Sequence, residues 1–142
     1  HAPARVSSRN IRDELLKEDS LLPAIYLTQK LDIAVVGIGY PNEKSAIMAT
    51  GYFKENEIES LIDRKVAGEL CMQFYDIYGD TAPYKDDNNV IGMDISMLRS
   101  VPRSIGIAGG VEKLRAVRGA INGHYINTLI TDIECAEALI SE

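Results

Sequence analysis

The chain has 142 residues, of which 46% are hydrophobic and 25% charged. That balance is the one of a folded chain with an ordinary core, and it excludes wholesale disorder. No run of about 18 apolar residues is present, so no helix is expected to span a membrane. Formal net charge is −6, with basic residues scattered among acidic ones. The electrostatic footprint of a nucleic-acid surface is therefore missing.

Taken in chain order, residues 7–18 carry Ile11, Leu15 and Leu16 at helical spacing behind a serine cap. Asp19 or Ser20 is positioned to cap a second helix running to about Lys30, with Pro23 in its first turn. Residues 32–37, Asp-Ile-Ala-Val-Val-Gly, form an apolar run without alternation, which predicts a strand buried on both faces. The following loop, 37–42, falls at the carboxyl edge of that strand, where open α/β sheets bind ligands. A short helix is expected over 46–49 and a stronger one over 55–64. Residues 66–75 read as one strand, 80–89 as a solvated polar excursion, 90–94 as a short strand and 95–100 as a helical turn stopped by Pro102.

Residues 103–110 then repeat the strand-to-glycine pattern, and a helical pattern follows at once to about Asn122. A fifth, short strand at 128–130 leads into a last helix at 132–141, capped by Thr131 or Asp132. Alternating strands and helices predict an α/β fold with a mainly parallel sheet. No repeat or linker divides the chain, so residues 1–142 are expected to form a single unit.

Two stretches carry chemistry. Gly109-Gly110 with Lys113 just behind would let backbone N–H groups and a lysine face an anion. A lysine in the first turn opposes the helix dipole, so it is either incidental and solvated or directed at a negative ligand. In 68–75, strand alternation would put Glu69, Cys71 and Gln73 on one face. A carboxylate there suits the acceptance of two adjacent sugar hydroxyls, or is an exposed edge-strand acid. The spacing around Gly109 is not that of a nucleotide phosphate loop, and Gly37-Ile38-Gly39 does not satisfy the dinucleotide fingerprint, so no cofactor is expected.

Cys71 and Cys135 are the only cysteines, read as lying in apolar surroundings with neither a CxxC spacing nor a neighbouring histidine. A reducing, cytoplasmic setting is expected, without a disulfide framework or zinc site. The opening residues 1–5 lack the apolar core of a signal peptide. His124, after Asn122-Gly123, is expected at the surface of a turn, and Asp86-Asp87 lacks calcium-loop spacing. No metal site and no nucleophile–base pair can be assembled.

Four blocks in order resemble the effector-binding domain of the SorC/DeoR-type sugar-responsive transcription regulators. They are 32–39; Ala67-Gly68-Glu69-Leu70-Cys71 with Phe74-Tyr75-Asp76 and Gly79; 106–113; and 126–132 with Ala136. The resemblance implies a Rossmann-like α/β sandwich similar to the glucosamine-6-phosphate deaminase group of sugar-phosphate isomerases. It implies binding, rather than conversion, of a phosphorylated sugar. Glu69 and Lys113 would be effector contacts, Cys71 would present its backbone or side chain to the same pocket, and Gly39 would lie at the rim.

The likeness extends over the later half of such a regulator's effector domain. DNA would be bound only through a helix-turn-helix region outside these residues. A homo-oligomer, dimer or tetramer, is expected. The alternatives are a phosphosugar isomerase-like enzyme on the same fold, or an oligomerisation module without ligand.

Overall fold

A computed structural model describes residues 1–42 and 45–141. Five strands form one sheet in the order β3-β2-β1-β4-β5. Strands β1 (Ile33–Gly39), β4 (Arg103–Ile107) and β5 (Thr128–Ile130) run parallel, with Val35 beside Ile105 and Ile105 beside Thr128. At the other side of β1 lies an antiparallel hairpin, β2 (Gly68–Leu70) and β3 (Gln73–Tyr75). The expected α/β architecture with a mostly parallel sheet is therefore present.

The helices are α1 (Arg9–Leu15), α2 (Leu22–Thr28), α3 (Ala46–Ala49), α4 (Glu55–Asp63), α5 (Leu114–Asn122) and α6 (Ile133–Ser141). Ser8 caps α1, its hydroxyl accepting the Ile11 N–H. At α2 the expected Asp19 or Ser20 cap is not formed: Leu21 is the capping residue and provides no side-chain bond. Helix α4 starts with the Glu57 carboxylate accepting the Lys54 N–H at 2.9 Å. No helix among the described residues is long and apolar enough to cross a membrane.

Two cores hold these elements. The larger packs Ala34, Ile38, Leu70 and Tyr75 of the sheet against Ala116, Val117 and Ala120 of α5. Tyr75 satisfies its buried hydroxyl by donating to the Ala116 carbonyl at 3.0 Å. The smaller gathers Ile47, Phe53, Ile58, Leu61, Val66, Phe74 and Tyr84. Tyr84 corrects the expectation of a wholly solvated 80–89 segment: its ring is fully buried and its hydroxyl donates to the Arg64 carbonyl.

Two expected strands change form. The run 66–75 is not one strand; Cys71 and Met72 both take positive φ, 51° and 63°, and turn the chain back on itself. That is the two-residue geometry whose twist matches a hairpin. Residues 90–94 do not make a strand either, because Val90 only bridges to Arg5 in the N-terminal segment.

Candidate functional site

The carboxyl ends of β1 and β4 lie side by side, with the β2–β3 hairpin joined to the end of β1. A cavity of about 410 Å³ opens there, lined by Gly39, Tyr40, Asn42, Ser45, Ile47, Glu69, Glu112 and Lys113. This volume lies in the range of small-molecule sites. Glu69 and Lys113, distant in sequence, thus meet at one concavity.

Glu69 reaches it from the middle of β2, across a glycine. Its register partner on β1 is Gly39, and the Glu69 carboxylate lies where a side chain at position 39 would stand. The hairpin turn then offers the Met72 N–H, which donates to Glu69 Oε2 at 2.9 Å. Loss of water raises the Glu69 pKa above its ordinary value, and the Met72 N–H and the charge of Lys113 offset this only in part. The residue is partly buried rather than an exposed edge acid. It can accept or, when protonated, donate a hydrogen bond to a hydroxyl.

Lys113 stands on a different footing from the one its sequence position suggests. The helix does not begin directly behind the glycine pair. A single 3-10 turn, Val111–Lys113, intervenes, and Lys113 becomes the residue preceding α5. It is partly buried and, among the described residues, makes no salt bridge. Its charge remains available to the cavity.

The N–H of Gly110 itself is turned away from the cavity. Gly110, at φ 92°, points its N–H to Asp132 Oδ2 at 2.5 Å instead of into the cavity. Asp132 Oδ1 accepts the Cys135 N–H at 2.8 Å and so caps α6. The Cys135 and Gly110 N–H donors hold the Asp132 carboxyl below its ordinary pKa. Asp132 therefore ties the start of α6 to the loop carrying Lys113, and the Gly110 N–H is used within the fold.

Cys71 sits on the hairpin turn, exposed, and is not among the cavity-lining residues. The alternation that would align it with Glu69 and Gln73 is broken by the turn. Its thiol pKa is raised by partial loss of water and by the Glu69 carboxylate. Cys135, a residue of α6, is buried in the larger core. His124 is exposed in a turn at φ 55°, as expected.

Sequence reasoning missed Glu112, Ser45 and Ile47, whereas Tyr40 and Asn42 lie in the 37–42 loop expected at the ligand edge. Glu112 was legible only as the neighbour of Lys113, yet it adds a second carboxylate to the wall. Ser45 donates its hydroxyl to the Asn42 carbonyl at 2.6 Å. Among the described residues no group of His, Cys, Asp and Glu could hold a metal ion.

Comparison with known proteins gives this geometry a context. A family described as "Putative sugar-binding domain" matches residues 1–141. The chain is 33% identical over 138 residues to the sorbitol operon regulator of Klebsiella pneumoniae, covering 97% of this chain and 44% of that protein. It is 36% identical over 142 residues to the transcriptional regulator LsrR of Escherichia coli, covering 98% of this chain and 45% of that one. The crystal structure of the full-length sorbitol operon regulator SorC from Klebsiella pneumoniae superposes with a TM-score of 0.81 at 34% identity, over 99% of this chain and 45% of that chain. The 142 residues thus span less than half the length of these regulators.

Proposed function

The chain belongs to the sugar-binding domain family carried by such regulators, and from that premise we propose that it is the effector-sensing part of a transcription regulator of carbohydrate metabolism. Its effector is a phosphorylated sugar. Lys113 attracts the anionic end and Glu69 orients hydroxyl groups. Gly39 leaves the space in which the Glu69 carboxylate rests. Cys71 contributes through the hairpin turn beside Met72, whose N–H steadies that carboxylate.

The single observation behind this proposal is the convergence of Glu69 and Lys113 on one cavity at the carboxyl edge of adjacent parallel strands. With Gly110 N–H engaged by Asp132, the positive charge offered from this side comes from Lys113. Binding then shifts the balance between arrangements of subunits in a homo-oligomer, dimer or tetramer, by differing affinity for the two states. DNA is contacted by a helix-turn-helix region outside these residues, in the cytoplasm.

Titration calorimetry of the regulator against a panel of sugar phosphates tests this. Saturable binding of at least one sugar phosphate supports the proposal, and no binding across the panel contradicts it.

One feature favours an enzyme as the second reading: a carboxyl of raised pKa beside a lysine is a common acid–base arrangement. Turnover of ribose 5-phosphate or glucosamine 6-phosphate, abolished in Glu69→Gln, would support an isomerase. Binding without turnover supports the sensor.

A further inference from the structure

A second hollow lies apart from the effector cavity and shares no lining residue with it. It holds about 110 Å³ between α1, β3, the 3-10 turn Ala82–Tyr84 and the residue that precedes the turn Ile95–Ser100. Pockets for whole small molecules begin at about 300 Å³, so this one fits an anion of a few atoms and not a sugar. Its walls carry Arg9, Arg12 and Lys85, with Asp94 as the single lining carboxylate. The chain as a whole is at −6, so three cations about one small hollow run against its charge.

The walls are fixed from several directions. Gln73, only 5% exposed, donates to the Met93 carbonyl at 2.8 Å and accepts the Ile95 N–H at 3.3 Å, which holds the segment bearing Asp94. Asn88 accepts the Phe74 N–H at 2.9 Å and joins its own segment to β3. Arg12 donates from Nε to the Val90 carbonyl at 3.0 Å.

The charges are answered only in part. Asp13 lies 3.0 Å from the Arg12 guanidinium and 3.9 Å from that of Arg9. Among the described residues, Lys85 has no ion pair and the Thr81 hydroxyl at the rim no hydrogen bond. Asp94 accepts the Ser96 N–H on Oδ1 at 2.9 Å, and its Oδ2 accepts none from a described residue.

This combination suits one kind of anion. Guanidinium and ammonium groups hold oxyanion oxygens by charge-assisted bonds. An ionised carboxylate only accepts, so it is compatible with a neighbouring anion that carries a proton of its own. Inorganic phosphate keeps a P–OH group near neutral pH, whereas sulfate has none. A phosphomonoester loses its last one above its second pKa of about 6. We propose that this hollow binds inorganic phosphate, held by Arg9, Arg12 and Lys85 and selected by Asp94, which accepts the hydrogen of the P–OH group. The site is separate from the effector cavity and does not depend on which ligand that cavity takes.

Titration calorimetry with inorganic phosphate at pH 8 and fixed ionic strength tests it, in Lys113→Met protein so that the effector cavity lacks its cation. The proposal expects saturable binding, weakened about tenfold or more by Lys85→Gln and by Arg9→Gln, the size of one charge-assisted contact. Both side chains are exposed, so these variants keep the fold. Sulfate and glycerol phosphate are expected to bind about tenfold or more weaker than phosphate. Asp94→Asn, which keeps an oxygen for the Ser96 N–H, narrows that gap. In the unsubstituted protein, phosphate shifts the amide resonances of Thr81, Lys85 and Asn88. Absence of saturable phosphate binding overturns the proposal. So does binding indifferent to Lys85→Gln and Arg9→Gln, or sulfate bound as tightly as phosphate.

Discussion

Gly39 and Glu69 face each other across the β1–β2 pair, and the glutamate carboxylate occupies the volume that any side chain at position 39 would need. The cavity therefore depends on an absence at 39 as much as on a charge at 69. Gly39→Ala is expected to push the carboxylate off the Met72 N–H and cost about 1–3 kcal/mol by overpacking. Glu69→Ala in the same chain should recover most of that cost. A double-mutant cycle by urea denaturation measures the coupling, and strictly additive effects would contradict the contact.

Glu69 also sets a pH dependence. Its folded pKa lies above its ordinary value of 4.5, chiefly through loss of water. The folded state thus favours the protonated acid. The associated stability is fully present below the unfolded pKa and is lost as pH rises through the folded one. Glu69→Gln removes the ionisation while keeping an oxygen for the Met72 N–H. The variant is expected to be at least as stable as the parent at pH 7 and to show a flatter stability profile above pH 4.5. Denaturant midpoints measured against pH check both points.

Asp132 shifts in the opposite direction. Its carboxyl is held below its ordinary 3.8 by the Cys135 and Gly110 N–H donors. The stability it contributes is present above the unfolded pKa and lost as pH falls through the folded one. Asp132→Ala should release Gly110 and fray the start of α6 together, whereas Asp132→Asn keeps part of the cap. Amide exchange is the measurement: Gly110 and Cys135 should lose protection in parallel in the alanine variant. Independent behaviour of the two amides would contradict the link.

Arg5 anchors the N-terminal segment. Its guanidinium donates to Glu57 Oε1 and to the Tyr52 carbonyl, both at 2.7 Å, and lies 4.1 Å from the Phe53 ring centre. Arg5→Ala is expected to cost about 1–2 kcal/mol, since the interactions are charge-assisted but partly wet. Arg5→Lys should recover little, because one ammonium cannot reproduce the fork and the stacking. Thermal unfolding of the two variants distinguishes these outcomes.

Some of this arrangement was legible in the residues, for definite reasons. β1 is an apolar run ending in glycine and β4 leads into a glycine pair, the pattern of strands in a parallel sheet. The expected burial of β1 on both faces is not found, because Ile33 and Val35 are exposed and only alternate residues face the core. The convergence of Glu69 with Lys113 was anticipated from family likeness and not from spacing. What was hidden depends on tertiary contacts. The hairpin turn uses positive φ at Cys71 and Met72, without the glycine or asparagine that would advertise it. The bond from Gly110 to Asp132 joins loops of two separate strands, and local patterns carry no trace of it. The burial of Tyr84 was masked by its polar neighbours.

The most direct test of the binding account compares a sugar phosphate found to bind with its dephosphorylated parent, by titration calorimetry, in the parent regulator, Lys113→Met and Glu69→Gln. Lys113→Met is expected to erase about tenfold or more of the preference for the phosphorylated form, the size of one charge-assisted contact. Glu69→Gln is expected to weaken both ligands by a similar factor. Unchanged affinities for both ligands in both variants would contradict the account.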